Sequence, residues 1–264
     1  MGARRRLDAE LVRRGLVPSR ESARREIEAG NVVVQGAPAM KASRQVDPSE
    51  DVRLLGPPPK FVSRAGGKLE AALDHFDVDP AGQRVLDAGS STGGFTDCLL
   101  QRGAASVIAV DVGTHQLHEK LRADDRVDVR EQTDVRSLDV ETLGGQVDLI
   151  VGDLSFISLT LVLPTLVTLA PPGASMLLLI KPQFEAGRAE VSKGRGVITD
   201  PAVRQRTIDE VSMAASGLGA AMLGVMESPV VGTAGNVEFV AHFGIGEQSA
   251  VGEQGVVGGG AGAA

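Results

Sequence analysis

The chain has one cysteine, Cys98, among its 264 residues, so no internal disulfide can form. A lone thiol fits a reducing, cytoplasmic setting. Tryptophan and tyrosine are absent, and the 3% aromatic content is all phenylalanine. That excludes an RNA-recognition sheet built on stacked aromatics. The start, Met1-Gly2-Ala3-Arg4-Arg5-Arg6, runs into Leu7-Asp8-Ala9-Glu10 rather than an apolar core, and does not read as a targeting segment. One stretch, residues 159–180, is 22 residues long without a charge. Such a length suffices to span a bilayer. Pro164, Pro171, Pro172 and Gly173 interrupt it, so a buried helix, a turn and a buried strand are expected instead. The chain is 42% hydrophobic and 23% charged, too apolar for global disorder. One mid-sized domain with a small extra module fits the length.

The net charge of -7 is unevenly distributed. Residues 1–60 hold 12 Lys/Arg against 8 Asp/Glu, a net of +4, and the remainder holds 15 against 26, a net of -11. The basic part ends at Gly56-Pro57-Pro58-Pro59, a stiff extended linker. The expected division is therefore a module over 1–56, a linker over 57–62 and a larger domain over 63–245. Residues 246–264, rich in Gly, Ala, Val and Gln, are expected to form a disordered tail.

Beyond the linker, apolar runs alternate with helix-like stretches. Strands are expected at residues 84–88, 106–112, 127–130, 147–151, 175–180, 221–226 and 237–243. Helices are expected between them, among them residues 95–102 and 201–216. This alternation predicts an α/β fold, a doubly wound and mainly parallel sheet. Ligands of such sheets sit beyond the carboxyl ends of the strands.

The first strand runs into Asp87-Ala88-Gly89-Ser90-Ser91-Thr92-Gly93-Gly94-Phe95. Its glycines permit a tight turn and close approach of a ligand. The spacing is neither that of a dinucleotide fingerprint nor that of a P-loop. The acid before the turn suits a cation better than a pyrophosphate. Asp111, after the second strand, suits ribose hydroxyls. Asp134, after the third, suits an exocyclic adenine amine, or caps a helix start.

These features resemble the class I S-adenosylmethionine-dependent methyltransferases. The resemblance implies a Rossmann-like, seven-stranded sheet with the last strand antiparallel. It implies S-adenosyl-L-methionine as cofactor, held by Asp87, Gly89, Ser90, Ser91, Thr92, Gly93, Gly94, Phe95, Asp111, Val112, Asp134, Val135 and Asp153.

Four charged residues fall at expected strand ends or at the head of a covering helix: Lys68, Asp153, Lys181 and Glu238. This Lys–Asp–Lys–Glu set resembles that of the FtsJ/RrmJ group of ribose 2′-O-methyltransferases. The resemblance makes the four catalytic, with Lys181 central, Asp153 and Glu238 positioning it, and Lys68 in support. A hydroxyl acceptor must be aimed at the methyl and must lose its proton as the bond forms. Lys193-Gly194-Arg195-Gly196 reads either as an RNA-phosphate contact or as a surface loop. His115 and His118, expected on one helix, lack the further ligands a metal site needs; no metal is expected.

Residues 6–55 read as two short helices followed by small strands. Ser19, with Ser22 as the alternative, is the expected N-cap of the second helix, whose face carries Arg20, Arg24 and Arg25. Arg6-Leu7-Asp8, Gly15-Leu16, Ser19-Arg20, Ala23, Ile27, Gly30 and Val32 resemble the S-four-like RNA-binding module, with Gln35-Gly36 where Asn-Gly is commoner. That resemblance implies RNA contacts through Arg4, Arg6, Arg20, Arg24, Arg25 and Lys41, joined by Arg64 beyond the linker. Module and domain together resemble the TlyA family. This implies 2′-O-methylation of cytidine in ribosomal RNA, with ribosomal RNA or subunits as partner, effects on ribosome-binding antibiotics and no stable membrane association. Two rival readings are a haemolysin-like membrane-active protein and a non-enzymatic RNA-binding ribosome-assembly factor.

Overall fold

The computed structural model describes residues 4–56, 59–232 and 235–246. From residue 247 on, the expected tail lies outside the described residues, as do Pro57 and Pro58 of the linker.

The N-terminal module begins with β1 (Arg5–Arg6), α1 (Leu7–Arg13) and α2 (Arg20–Glu28). Ser19 caps α2, its hydroxyl accepting from the Ser22 N–H at 3.1 Å. Short strands follow: β2 (Val32–Val34), β3 (Ala37–Pro38), β4 (Gln45–Val46) and β5 (Val52–Leu54). β3-β2-β5 form one small sheet, and β1 pairs with β4. Leu7, Leu11, Ala23, Ile27, Val32 and Val34 are fully buried and form the module's own core. The turn after β2 places Gln35 at φ 54° and Gly36 at φ 76°. Gln35 thus adopts the left-handed conformation that costs a non-glycine residue about 1–2 kcal/mol.

The larger domain contains α3 (Ala65–Phe76), β6 (Arg84–Ala88), α4 (Gly94–Gln101), β7 (Ser106–Val110), α5 (Glu119–Arg122), β8 (Val127–Arg130) and α6 (Val140–Leu143). It continues with β9 (Leu149–Gly152), α7 (Leu163–Leu166), β10 (Ser175–Ile180), α8 (Pro182–Glu185), α9 (Arg188–Lys193), α10 (Pro201–Ser216), β11 (Ala220–Glu227) and β12 (Phe239–Ile245). The seven strands lie in the order β11-β12-β10-β9-β6-β7-β8. The last, β12, runs antiparallel to both of its neighbours. Buried side chains pack on both faces of the sheet, as expected for strands that read as near-continuous apolar runs. The uncharged stretch 159–180 resolves into a short 3-10 turn, α7, a turn at Pro171–Gly173 and β10. Among the described residues, no helix is long and apolar enough to cross a membrane.

Three expectations need correction. Glu238 does not begin the last strand but stands immediately before β12. His115 and His118 do not share a helix: His115 takes φ 52° in a loop, and His118 caps α5 by accepting the Lys120 N–H on Nδ1. Lys193 does not lie in a loop but ends a helix, α9, too short to show a helical period in the sequence.

Candidate functional site

The register of the sheet assembles the site. β9 lies parallel between β6 and β10, with Gly152 opposite both Ala88 and Leu178. Asp153 therefore emerges next to the glycine turn that leaves β6. Ile180 of β10 pairs with Phe239 of β12. Because β12 is antiparallel, its first residue meets the last of β10, and Lys181 and Glu238 emerge at one edge. Lys68, in the first turn of α3, reaches the same edge from above.

The four side chains form an alternating chain of charge. Lys181 Nζ lies 2.6 Å from Asp153 Oδ1, Lys68 Nζ lies 3.6 Å from Asp153 Oδ2, and Lys68 Nζ lies 2.6 Å from Glu238 Oε2. Lys68, Lys181 and Glu238 are buried. Unpaired, each would cost several kcal/mol to remove from water, an order-of-magnitude penalty that pairing offsets. Glu238 was expected to position Lys181 directly; it holds Lys68 instead, and accepts from Gln183 Nε2 at 3.2 Å. The second partner of Lys181 is Ser155, whose hydroxyl accepts from Nζ at 2.8 Å.

A cleft of about 610 Å³ opens over this chain, within the range of roughly 300–1,000 Å³ common to small-molecule sites. Gly89, Ser90, Ser91, Thr92, Gly94 and Phe95 line it with the four charged residues. The turn is possible because Gly89 and Gly93 take φ of 85° and 93°, where a side chain is strained. The segment from Gly89 to Phe95 carries no basic side chain. It offers a cationic donor such as a sulfonium no repulsion, and a pyrophosphate no counter-charge. The residues present thus fit the expected cofactor.

Six expected cofactor residues are not brought into the cleft wall. Asp87 is fully buried under the turn, accepting from Thr96 Oγ1 at 2.7 Å. Burial pushes its carboxyl up to about 7. Gly93 turns the chain into α4 but is not part of the wall. Asp111 accepts the backbone N–H groups of Ser91 at 2.8 Å and Gly113 at 2.7 Å, which fixes the outer side of the turn. Val112 is exposed, whereas Val135 packs in the core. Asp134 caps the short turn that follows it and pairs with Arg136 at 2.6 Å.

Residues not singled out from the sequence complete the wall: Ser155, Phe156, Gln183 and Phe184. Phe156 is 90% exposed and takes φ 64°. Its ring lies 5.1 Å from that of Phe184. A large aromatic held in solvent at a strained backbone position, with only the Phe184 ring beside it, has the form of a platform. Its only sequence signal is the apolar-polar mixture Leu154-Ser155-Phe156-Ile157-Ser158 directly after a strand.

The module borders the same cleft through Glu21 and Arg25 of α2, and Arg64 also lines it. Six of its other arginines, Arg5, Arg6, Arg13, Arg14, Arg20 and Arg24, gather on two buried carboxylates. Asp8 accepts from Arg6 and Arg20 and lies 3.6 Å from Arg24. Burial alone would raise the Asp8 carboxyl, but the hydrogen bonds from Arg6 and Arg20 hold it at about 2. Glu10 does the same for Arg13 and Arg14. Arg4 and Lys41 stand exposed on the module. The result is a fixed guanidinium array with one end at the cleft.

Residues 61–245 match the FtsJ-like methyltransferase family, and residues 5–52 match the S4 domain. The chain is 49% identical over 240 residues to the 16S/23S rRNA (cytidine-2′-O)-methyltransferase TlyA of Mycobacterium tuberculosis, covering 90% of its own length and 89% of the relative's. It is 38% identical over 239 residues to Hemolysin A of Brachyspira hyodysenteriae, covering 90% and 99% of the two chains. A solved structure from Streptococcus thermophilus bearing the hemolysin name superposes with a TM-score of 0.75 at 38% identity, over 93% of this chain and 90% of that one.

Proposed function

The chain belongs to the FtsJ-like methyltransferase family, in the TlyA branch that carries an S4 domain ahead of the catalytic domain, and on that premise we propose that it methylates ribose 2′-hydroxyls of cytidine in ribosomal RNA. The observation that carries this reading is the buried chain Lys181–Asp153–Lys68–Glu238 beside the glycine turn. We place the division of labour at the Pro-rich segment 57–62. Residues 1–56 grip RNA, and residues 63–245 perform the transfer, in the cytoplasm.

S-adenosylmethionine, when bound, would supply a methyl group on a positively charged sulfur, with the sulfur keeping the electron pair of the C–S bond as the methyl passes to the acceptor oxygen. Gly89, Ser90, Ser91, Thr92, Gly94 and Phe95, which line the cleft, are the residues proposed to hold that cofactor, with Asp111 fixing the turn from outside. Lys181 is proposed to orient the hydroxyl. Its ammonium is ion-paired with Asp153 Oδ1 at 2.6 Å and donates to Ser155 Oγ at 2.8 Å. Its contact with the Asp153 carbonyl oxygen, at 3.5 Å, is long, and the N–H on that side is the donor proposed for the acceptor oxygen. A preorganised donor aimed at developing negative charge is worth about 2.7–4 kcal/mol in transition-state stabilisation. Asp153 keeps Lys181 in place, and in the proposed step Lys181 passes one of its protons to the Asp153 carboxylate as it takes up the hydroxyl proton. Phe156 offers its face to the acceptor base, and stacking of this kind contributes about 1–3 kcal/mol per base. The arginines around Asp8 and Glu10 meet the RNA phosphates.

The test maps tritiated methyl incorporation into isolated ribosomal subunits and free RNA. The expected outcome is label on ribose of cytidine, lost by at least about 100-fold in kcat for a folded Lys181→Ala protein. Full transfer by Lys181→Ala would remove the mechanism. Absence of cofactor binding by calorimetry would favour an assembly factor. Liposome leakage unaffected by Lys181→Ala would favour a membrane-active protein.

A further inference from the structure

Glu185 closes α8, four residues after Lys181, and does not line the cleft. Its carboxylate turns to the opposite segment, accepting from Ser158 Oγ at 2.5 Å and from the Leu159 backbone N–H at 2.9 Å. Its own backbone N–H donates to the Lys181 carbonyl at 3.2 Å. One residue thus joins the end of β10 to the segment that leaves β9. Burial pushes the Glu185 carboxyl up, against the pull of the two hydrogen bonds. A carboxylate desolvated to this degree, with both acceptors spent on one loop, is costly unless that loop must be held.

The loop in question carries Asp153, Ser155 and Phe156. Upstream, the Asp153 N–H donates to the Ala88 carbonyl at 3.1 Å. Between the two anchors Phe156 takes φ 64° with its ring in solvent. Such a conformation relaxes unless both ends are fixed. Downstream, Ser158 caps the 3-10 turn Leu159–Leu161, and Glu185 holds both Ser158 and Leu159.

We propose that Glu185 is a positioning residue that sets the separation between Lys181 and the acceptor loop, and through it the aim of the acceptor nucleotide. The inference rests on the methyltransferase reading for its kinetic test and on the geometry alone for its second test. A misplacement of about 1 Å costs on the order of 100-fold in rate.

The experiment uses the full chain, isolated ribosomal subunits and tritiated S-adenosylmethionine, with Glu185→Ala, Glu185→Gln and Ser158→Ala. Glu185→Ala is expected to lower kcat about 10- to 100-fold, with cofactor Kd unchanged within about twofold. The carboxamide of Glu185→Gln still accepts from Leu159 and donates to Ser158, and is expected to recover most of the rate. A merely structural role would move cofactor affinity along with kcat and would show no rescue. In parallel, amide hydrogen exchange at residues 154–160 is expected to quicken at least about tenfold in Glu185→Ala while residues 175–180 stay protected. Unchanged exchange in Glu185→Ala, or kcat within twofold of wild type, overturns the proposal. A wild-type chain that labels no RNA would count against the methyltransferase reading, and the exchange measurement would still decide the role of Glu185. If Glu185→Ala fails to fold, Ser158→Ala removes one of the same contacts and is read in the same way.

Discussion

Asp87 gives the most demanding test of the electrostatics under the cofactor turn. Its side chain is fully buried, Thr96 donates to Oδ2 at 2.7 Å, and Oδ1 has no partner. Burial, reinforced by the nearby Asp153 and Asp111 charges, moves the carboxyl from 3.8 to about 7. The folded state therefore keeps a proton that the unfolded chain has already lost. The stability this contributes is fully present below pH 4 or so and is lost as pH rises to about 7. A shift of about 3 units corresponds to about 4 kcal/mol in all. Asp87→Asn stays neutral throughout and keeps an oxygen for Thr96. Its stability relative to wild type should rise by about 2 kcal/mol between pH 5.5 and pH 8, with the change complete near pH 7. Urea unfolding at half-unit pH steps measures it. A constant offset between the two proteins is tolerable, since the amide leaves its own buried donor. Parallel stability curves across that window would refute the reasoning. The sequence suggested that Asp87 attracts the cofactor's cation; the structure puts its charge beneath the turn, where it acts on stability.

Two further outcomes follow from named contacts. A Cβ on Gly232 would stand 2.5 Å from Glu238 Oε1; Gly232→Ala should displace Glu238 from Lys68 and lower kcat about tenfold or more, with the thermal midpoint little changed. In the module, Asp8 is held at about 2 against its ordinary 3.8, so its stabilisation is present above pH 4 and fades as pH falls toward 2. Asp8→Asn should remove about 2 kcal/mol near neutral pH, discounted for the half-exposed arginines, and flatten the acid-unfolding profile followed by circular dichroism.

The sheet was legible in the sequence because its parallel strands are buried on both faces and read as apolar runs. β6, β8 and β10 match the expected ranges to the residue. So does α10, which Asp200 caps and Pro201 opens, a start signal visible without coordinates. The short α8 and α9 were not legible: neither is long enough to show a helical period. Glu238 was misplaced by one step because apolar Val237 precedes it, and alternation alone does not mark where pairing begins.

The charged quartet was legible only as a set, through its resemblance to a known pattern, and the structure brings its four side chains together. Its wiring was not. Ser155, Gln183 and Glu185 are polar residues in short connections, and nothing in their spacing says which carboxylate each lysine meets. Asp8 and Glu10 illustrate the same limit. On a short helix rich in arginine they read as solvated surface acids, yet both side chains are fully buried. Only the convergence of arginines from two helices and the preceding strand makes that burial affordable.

The geometry also explains why a lysine so far upstream belongs to the site. Lys68 has no strand behind it; α3 must be set by its own packing. A side chain on Gly66 would overlap the Phe61 ring, and one on Gly94 would overlap Ser63 and Ala65. The end of the linker and the residues just after it are therefore wedged between α3 and the first turn of α4. Val62 adds a hydrogen bond from its N–H to the buried Asp97 carboxylate at 2.9 Å. These contacts fix α3, α3 carries Lys68, and Lys68 holds Glu238 and Asp153 together. The same junction carries Arg64 into the cleft, where α2 of the module contributes Arg25. Arg25 of the module at the cleft and a lysine fixed by the segment joining the two domains bring the module's arginines and the charge chain to one site. On the proposed reading, an acceptor bound to the module is presented to Lys181 without a further ordering step, which is the entropic advantage that fixed placement confers on a reaction between two bound partners.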